Sequence, residues 1–130
     1  MKLDLSQIVL DTNKREVLDP EIGKDGKPTG KNIKRTLRQN LIRVLSAQFD
    51  RNLLKEPKEY TWIYSLATLI RDAKEDIIEI DDEKLAFIKK LIGNNKMIFM
   101  QSGPQGLIEK EGFIFTPFEA GQTLDMLGGL

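Results

Sequence analysis

The chain has 130 residues, 40% of them hydrophobic, and its 20 basic residues cancel its 20 acidic ones, which predicts one domain with a real core and no global field to draw in nucleic acid or an acidic membrane. It contains neither cysteine nor histidine, so disulfides, Ser-His and Cys-His nucleophiles and the usual structural zinc sites are excluded. No apolar run approaches the roughly 20 residues that span a bilayer, and carboxylates interrupt the opening MKLDLSQIVLD where a signal peptide needs apolar residues; an intracellular chain with no membrane segment is expected.

In chain order, Leu3, Leu5 and Val9 alternate ahead of a polar turn at Thr12-Asn13-Lys14 and a short return at Val17-Leu18, which predicts a small N-terminal hairpin. Pro20, Gly23, Gly26, Pro28 and Gly30 then interrupt any regular element as far as residue 30. The segment GKDGKPTGKNIKR has the glycines and basic residues of a phosphate cradle. A Walker A loop needs four residues between its glycines and a hydroxyl after the lysine, whereas Gly26 and Gly30 enclose three and Asn32 follows Lys31. What remains is a DGKP turn that feeds a helix. From Lys31 to Phe49, the residues Ile33, Leu37, Leu41, Val44 and Leu45 recur at steps of three and four, predicting an amphipathic helix. Its opposite face carries Lys31, Lys34, Arg35 and Arg38, the candidate phosphate or nucleic-acid contacts. A solvated charged face is the plainer reading, because no aromatic lies among these residues to stack a base and no tight turn follows to build a helix-turn-helix. Nucleic acid is therefore not the expected partner.

A second helix is predicted over Lys58–Lys74, with Trp62, Leu66, Leu69 and Ile70 as its apolar stripe. The next stretch, Asp72 to Glu83, holds seven carboxylates and one lysine. Most of that charge reads as the start of a third helix: Asp81 caps it, Ile80 and Leu85 form a staple, and Gly93 ends it. A carboxylate metal site is the lesser alternative for the block, but no EF-hand spacing fits it, and no metal or cofactor is expected. Beyond Gly93, KMIFMQ and LIEKEGFIF flank the turn residues SGPQG, which predicts a second hairpin with Met97, Phe99, Ile108, Phe113 and Phe115 turned to the core. Met97, Phe99, Phe113 and Phe115 are also the candidate partner interface, since such a run can form a sticky surface. Thr116, Pro117 and Glu119 read as a capping box for a last helix to about Leu127, closed by Gly128 and Gly129. The predicted class is α+β, with three to four helices, a short N-terminal β-hairpin and a C-terminal β-hairpin before the last helix. Residues 1–130 form one domain: an extended segment over 1–30, a helical core over 31–95, a hairpin over 96–115 and a C-terminal helix over 116–130. Carboxylates can serve as acid and base without histidine, but no pair stands apart from capping duty, so no catalytic residue is assigned.

These residues carry a resemblance. Asp25-Gly26-Lys27-Pro28, then Asp81, Glu83 and Ile88-Lys89-Lys90-Leu91-Ile92-Gly93, then Pro117, Gly121 and Leu127 make most of the chain similar to a group of small, mostly uncharacterised bacteriophage and prophage proteins. The chain departs from that group by inserting NNKMIFMQSGPQGLIEKEGFIF before its last helix. The resemblance implies a noncatalytic phage protein acting through protein contacts, as a virion structural or assembly component. Its partners would be other phage or host proteins or a second copy of itself, and its place the bacterial host cytoplasm and the virion. A small regulator or inhibitor of a host protein, and a nucleic-acid-binding accessory protein, are the alternatives.

Overall fold

The computed structural model describes residues 1–47 and 53–129. In chain order these form β1 (Lys2–Asp4), β2 (Leu18–Ile22), β3 (Pro28–Lys34), α1 (Leu37–Ser46), α2 (Pro57–Asp72), β4 (Ile77–Glu79), α3 (Asp82–Asn94), β5 (Lys96–Gly103), β6 (Gly106–Phe113) and α4 (Pro117–Met126). The class is α+β. Among the described residues the strands form three antiparallel two-stranded sheets, β1 with β4, β2 with β3 and β5 with β6, so each strand keeps one unpaired edge. No described helix is long and apolar enough to cross a membrane.

At the N-terminus the chain does turn where the polar residues predict. Asp11 Oδ1 accepts from the amides of Asn13 and Arg15 at 2.8 and 3.0 Å, Lys14 takes a φ of 62°, and a bridge joins Leu10 to Glu16. Ahead of that turn, β1 reaches across the molecule to β4, with Leu3 opposite Ile78. Alternation then buries Leu3 and Leu5 in the main core.

Residues 18–34 correct the reading of an irregular segment leading into a helix at Lys31. They form a hairpin in which Leu18, Asp19 and Pro20 pair with Lys34, Ile33 and Asn32. The register slips between Pro20 and Ile22, and β3 takes up the surplus with Gly30 at φ +86°, a conformation that a side chain at that position would resist. The DGKP segment is the turn of this hairpin: Asp25 Oδ1 accepts from Lys27 N at 3.0 Å, and Gly23 N donates to Lys27 O at 2.8 Å. The helix begins only at Leu37. Thr36 is its extended N-cap, with its own amide held by Gln39 Oε1 at 2.7 Å. Helical spacing before residue 36 loses to partners outside the segment: Ile33 pairs with Asp19 on β2, and Arg35 N donates to Val17 O at 2.8 Å. The predicted end of that helix, Phe49, lies outside the described residues.

The core is built on three helices. Leu37, Leu41, Val44 and Leu45 of α1 meet Leu66 and Ile70 of α2 and Leu85, Ile88, Leu91 and Ile92 of α3. Trp62 packs edge to face on Phe87, centroids 5.5 Å apart, whereas Leu69, predicted in the same stripe, faces solvent. Asp81 caps α3 as predicted, accepting from Lys84 N at 2.9 Å; that bond holds its carboxyl below the usual range. Gly93 does not end the helix. It remains within α3, and Asn95 supplies the left-handed residue at φ 52°.

Candidate functional site

The four basic residues predicted on one helix face are dispersed. Lys31 and Lys34 lie on β3, and Lys34 Nζ meets Glu16 Oε1 at 3.1 Å across the hairpin. Arg35 lies between β3 and α1 and clamps three elements. Its Nε and Nη2 donate to both oxygens of Asp19 at 2.9 and 2.7 Å, and its Nη1 donates to Glu119 Oε1 at 2.7 Å. The guanidinium holds Asp19 below the usual carboxylate range, and the two carboxylates raise Arg35 above its ordinary value. Arg38 faces inward across the end of α2, where it donates to the carbonyls of Ile70 and Ala73, oxygens that the helix end leaves unpaired, and to that of Glu75 just beyond. A continuous basic surface is therefore absent from these four positions. Changing Lys31 and Lys34 together to Gln should shift the melting temperature by no more than a degree or two, since exposed charges contribute ~0.5 kcal/mol or less. Arg38→Gln should cost about 1–2 kcal/mol, because it uncovers helix carbonyls. Thermal melts of the two variants check this, and equal losses would contradict the division of roles.

Glu119 was expected to complete a capping box. Thr116 does cap α4, accepting from Glu119 N at 3.3 Å, but the Glu119 carboxylate points to Arg35 and to Asn40 Nδ2 at 3.3 Å. Asn40 also donates to Thr123 Oγ1 at 3.1 Å, and Thr123 donates to Glu119 O at 2.8 Å. This polar chain ties α1 to α4. A cleft of about 450 Å³ beside it is lined by Arg35, Arg43, Phe115 and Thr116. Its cations are already engaged, Arg35 with two carboxylates and Arg43 over the Phe115 ring at 5.2 Å.

The predicted hairpin over 96–115 exists, but its place is not the one expected. β5 and β6 contact chiefly each other, joined by a turn at Pro104-Gln105, with Lys96 opposite Phe113 and Gly103 opposite Gly106. Of the five predicted core residues, Phe115 is buried and Met97 is partly buried. Phe99, Ile108 and Phe113 are exposed, as are Met100 at 55% and Leu107 at 68%. Among the described residues no helix or further sheet covers either face beyond the root, where Met97 packs on the core, so the hairpin projects. The apolar residues that do seal its root, Ile114 and Phe115, lie just past β6, where the side chain of Asn95 both donates to and accepts from the Phe115 backbone.

The register also separates the four residues offered as one interface. Opposite residues share a face, so Met97, Phe99 and Ile108 lie on one side and Ile98, Met100, Leu107 and Phe113 on the other. Phe115 belongs to neither. On the first side the Phe99 ring rests on Gly112, where an added Cβ would come within 2.9 Å of the ring. On the second, Phe113 is diagonal to Ile98 and Leu107 to Met100, giving an apolar stripe bordered by Lys96, Ser102, Glu109 and Glu111. Leu107, Met100 and Ile98 were absent from the predicted interface. At a period of two, LIEKEGF sets Leu107 and Phe113 on the side of Glu109 and Glu111, so neither side of the strand has the uniformly apolar character of a buried face.

No protein-family model, curated protein or solved structure matches this chain.

Proposed function

We propose that this chain is a noncatalytic bacteriophage protein that works through protein–protein contacts as a virion structural or assembly component. The observation that carries the contact reading is the projecting β5–β6 hairpin. It keeps Met100, Leu107 and Phe113 in water, at 55%, 68% and 67% exposure, beside unpaired strand edges. A chain of this size leaves so much apolar surface uncovered at a cost in solubility, which a partner removes. The absence of histidine and cysteine supports a noncatalytic role, and the carboxylates with defined partners serve as caps and ion-pair members. The phage assignment rests on the resemblance carried by the DGKP turn, the Asp81–Gly93 helix and the Pro117–Leu127 helix. Other phage proteins are the partners in this reading, met in the host cytoplasm during assembly and retained in the particle.

The test uses a phage or prophage that encodes the chain, with Leu107 and Phe113 both changed to Asp. Losing two large apolar contacts weakens binding by more than about a hundredfold. The expected result is wild-type protein in purified particles or assembly intermediates by mass spectrometry, with the variant missing from both and the particle titre reduced. Wild-type protein absent from both, with titre indifferent to the variant, would overturn the assembly role and favour a regulator of a host protein.

A further inference from the structure

We propose that the occupant of the hairpin's open edge is the same edge of a second copy, β5 against β5 in antiparallel, with the two-fold axis at Phe99. This deepens the contact reading above and rests on it. The two edges of the hairpin differ in charge. β6 carries Glu109-Lys110-Glu111, and pairing it with itself about Lys110 would set Glu109 against Glu111 of the other copy. Like charges directly opposite repel, and charged residues are the common protection of a strand edge. β5 has no such protection: from Met97 to Gly103 it reads MIFMQSG, without a charge, the type of window that recruits a further strand.

The direction of the backbone groups agrees with this. Ile114 N donates to Asn95 O at 3.3 Å, which sets the parity of the ladder. Bonds within the hairpin are exchanged at Met97/Gly112, Phe99/Lys110 and Gln101/Ile108, and the alternate residues Lys96, Ile98, Met100 and Ser102 direct their N–H and C=O outward. Pairing about Phe99 places Ile98 opposite Met100 of the other copy and Lys96 opposite Ser102, so each outward group finds its complement. Phe99 meets Phe99 in the position without hydrogen bonds. No charge faces a charge. The four-stranded sheet that results joins the two stripes of Ile98 and Met100 into one apolar face, flanked by Phe113 and Leu107 of both copies.

The chain's lack of cysteine makes the test direct. In Phe99→Cys the two thiols would stand across a pair whose Cα atoms approach to about 4.5 Å, within reach of a disulfide. Oxidation should give a covalent dimer on a non-reducing gel, and Leu107→Cys, on the outer edge of β6, should give far less. Light scattering should find the wild type dimeric. Met100→Lys should raise the dissociation constant by more than about a hundredfold, because both copies lose the Ile98 contact, with its melt as a monomer still cooperative. A wild type that stays monomeric at its solubility limit, or equal cross-linking by the two cysteine variants, would overturn self-pairing. Failure of the assembly reading looks different: a dimer that Met100→Lys dissociates while particle content and titre remain normal.

Discussion

Asn95→Ala is expected to destabilise the domain by about 3 kcal/mol and to lower its melting temperature by about 10 °C. Asn95 stands where α3 ends and β5 begins, at φ 52° and ψ 30°, and is 9% exposed. Its side-chain amide donates to Phe115 O at 2.8 Å and accepts from Phe115 N at 2.9 Å, while its own amide donates to Leu91 O at 3.1 Å. Alanine leaves a buried N–H and a buried C=O without partners, at ~1–3 kcal/mol each before relaxation. It must also hold a left-handed backbone, which costs an L-residue ~1–2 kcal/mol. Asn95→Gly separates the two effects, since it removes the backbone cost and not the lost bonds, so its melt should fall between wild type and alanine. An alanine variant melting within ~2 °C of wild type would contradict this joint.

Arg35→Met should cost about 2–3 kcal/mol, because it leaves the Glu119 carboxylate, 13% exposed, without its cation. Glu119→Gln in the same chain should recover part of that loss, since a neutral amide no longer needs the guanidinium. The variant also predicts a change with pH. Asp19 is held below the usual carboxylate range by Arg35 in the folded chain, so the unfolded chain binds a proton first as pH falls. The stabilisation is complete above the unfolded value of ~3.9 and is lost as pH drops through the lower folded value. Denaturant melts between pH 5 and pH 3 should therefore fall more steeply for wild type than for Arg35→Met. Equal slopes would show that the ion pair adds nothing to the acid-side loss.

The legible parts of this fold are those whose signals are local. Asp81 before an acidic first turn, Thr116-Pro117 before α4, and SGPQG between two apolar runs each specify their geometry through residues three or four apart. What stayed hidden depends on partners far along the chain. Ile33 and Leu37 fit a helical stripe, and only pairing with Leu18–Pro20 makes a strand of the first and leaves the helix to the second. Arg35 read as one member of a charged face because its two carboxylates lie 16 positions before it and 84 after it. Asn95 is legible in the sequence: asparagine is the residue besides glycine that most readily turns left-handed, and it stands two residues past Gly93, at the true end of α3. Apolar content marks β5 and β6 as core strands, yet it does not say whether anything is available to cover them. In this fold the three core helices are occupied with each other and with β1.

The pairing of Lys2–Asp4 with Ile77–Glu79 sets an order of events during synthesis. β1 has no strand partner until the chain has grown past residue 79, so at roughly 5–20 residues per second that pairing waits on the order of 4–15 s. The hairpin of β2 and β3 closes among near neighbours and needs no such delay. Closing the long loop carries the larger entropy cost, which places pairing of the first strand after closure of the β2–β3 hairpin.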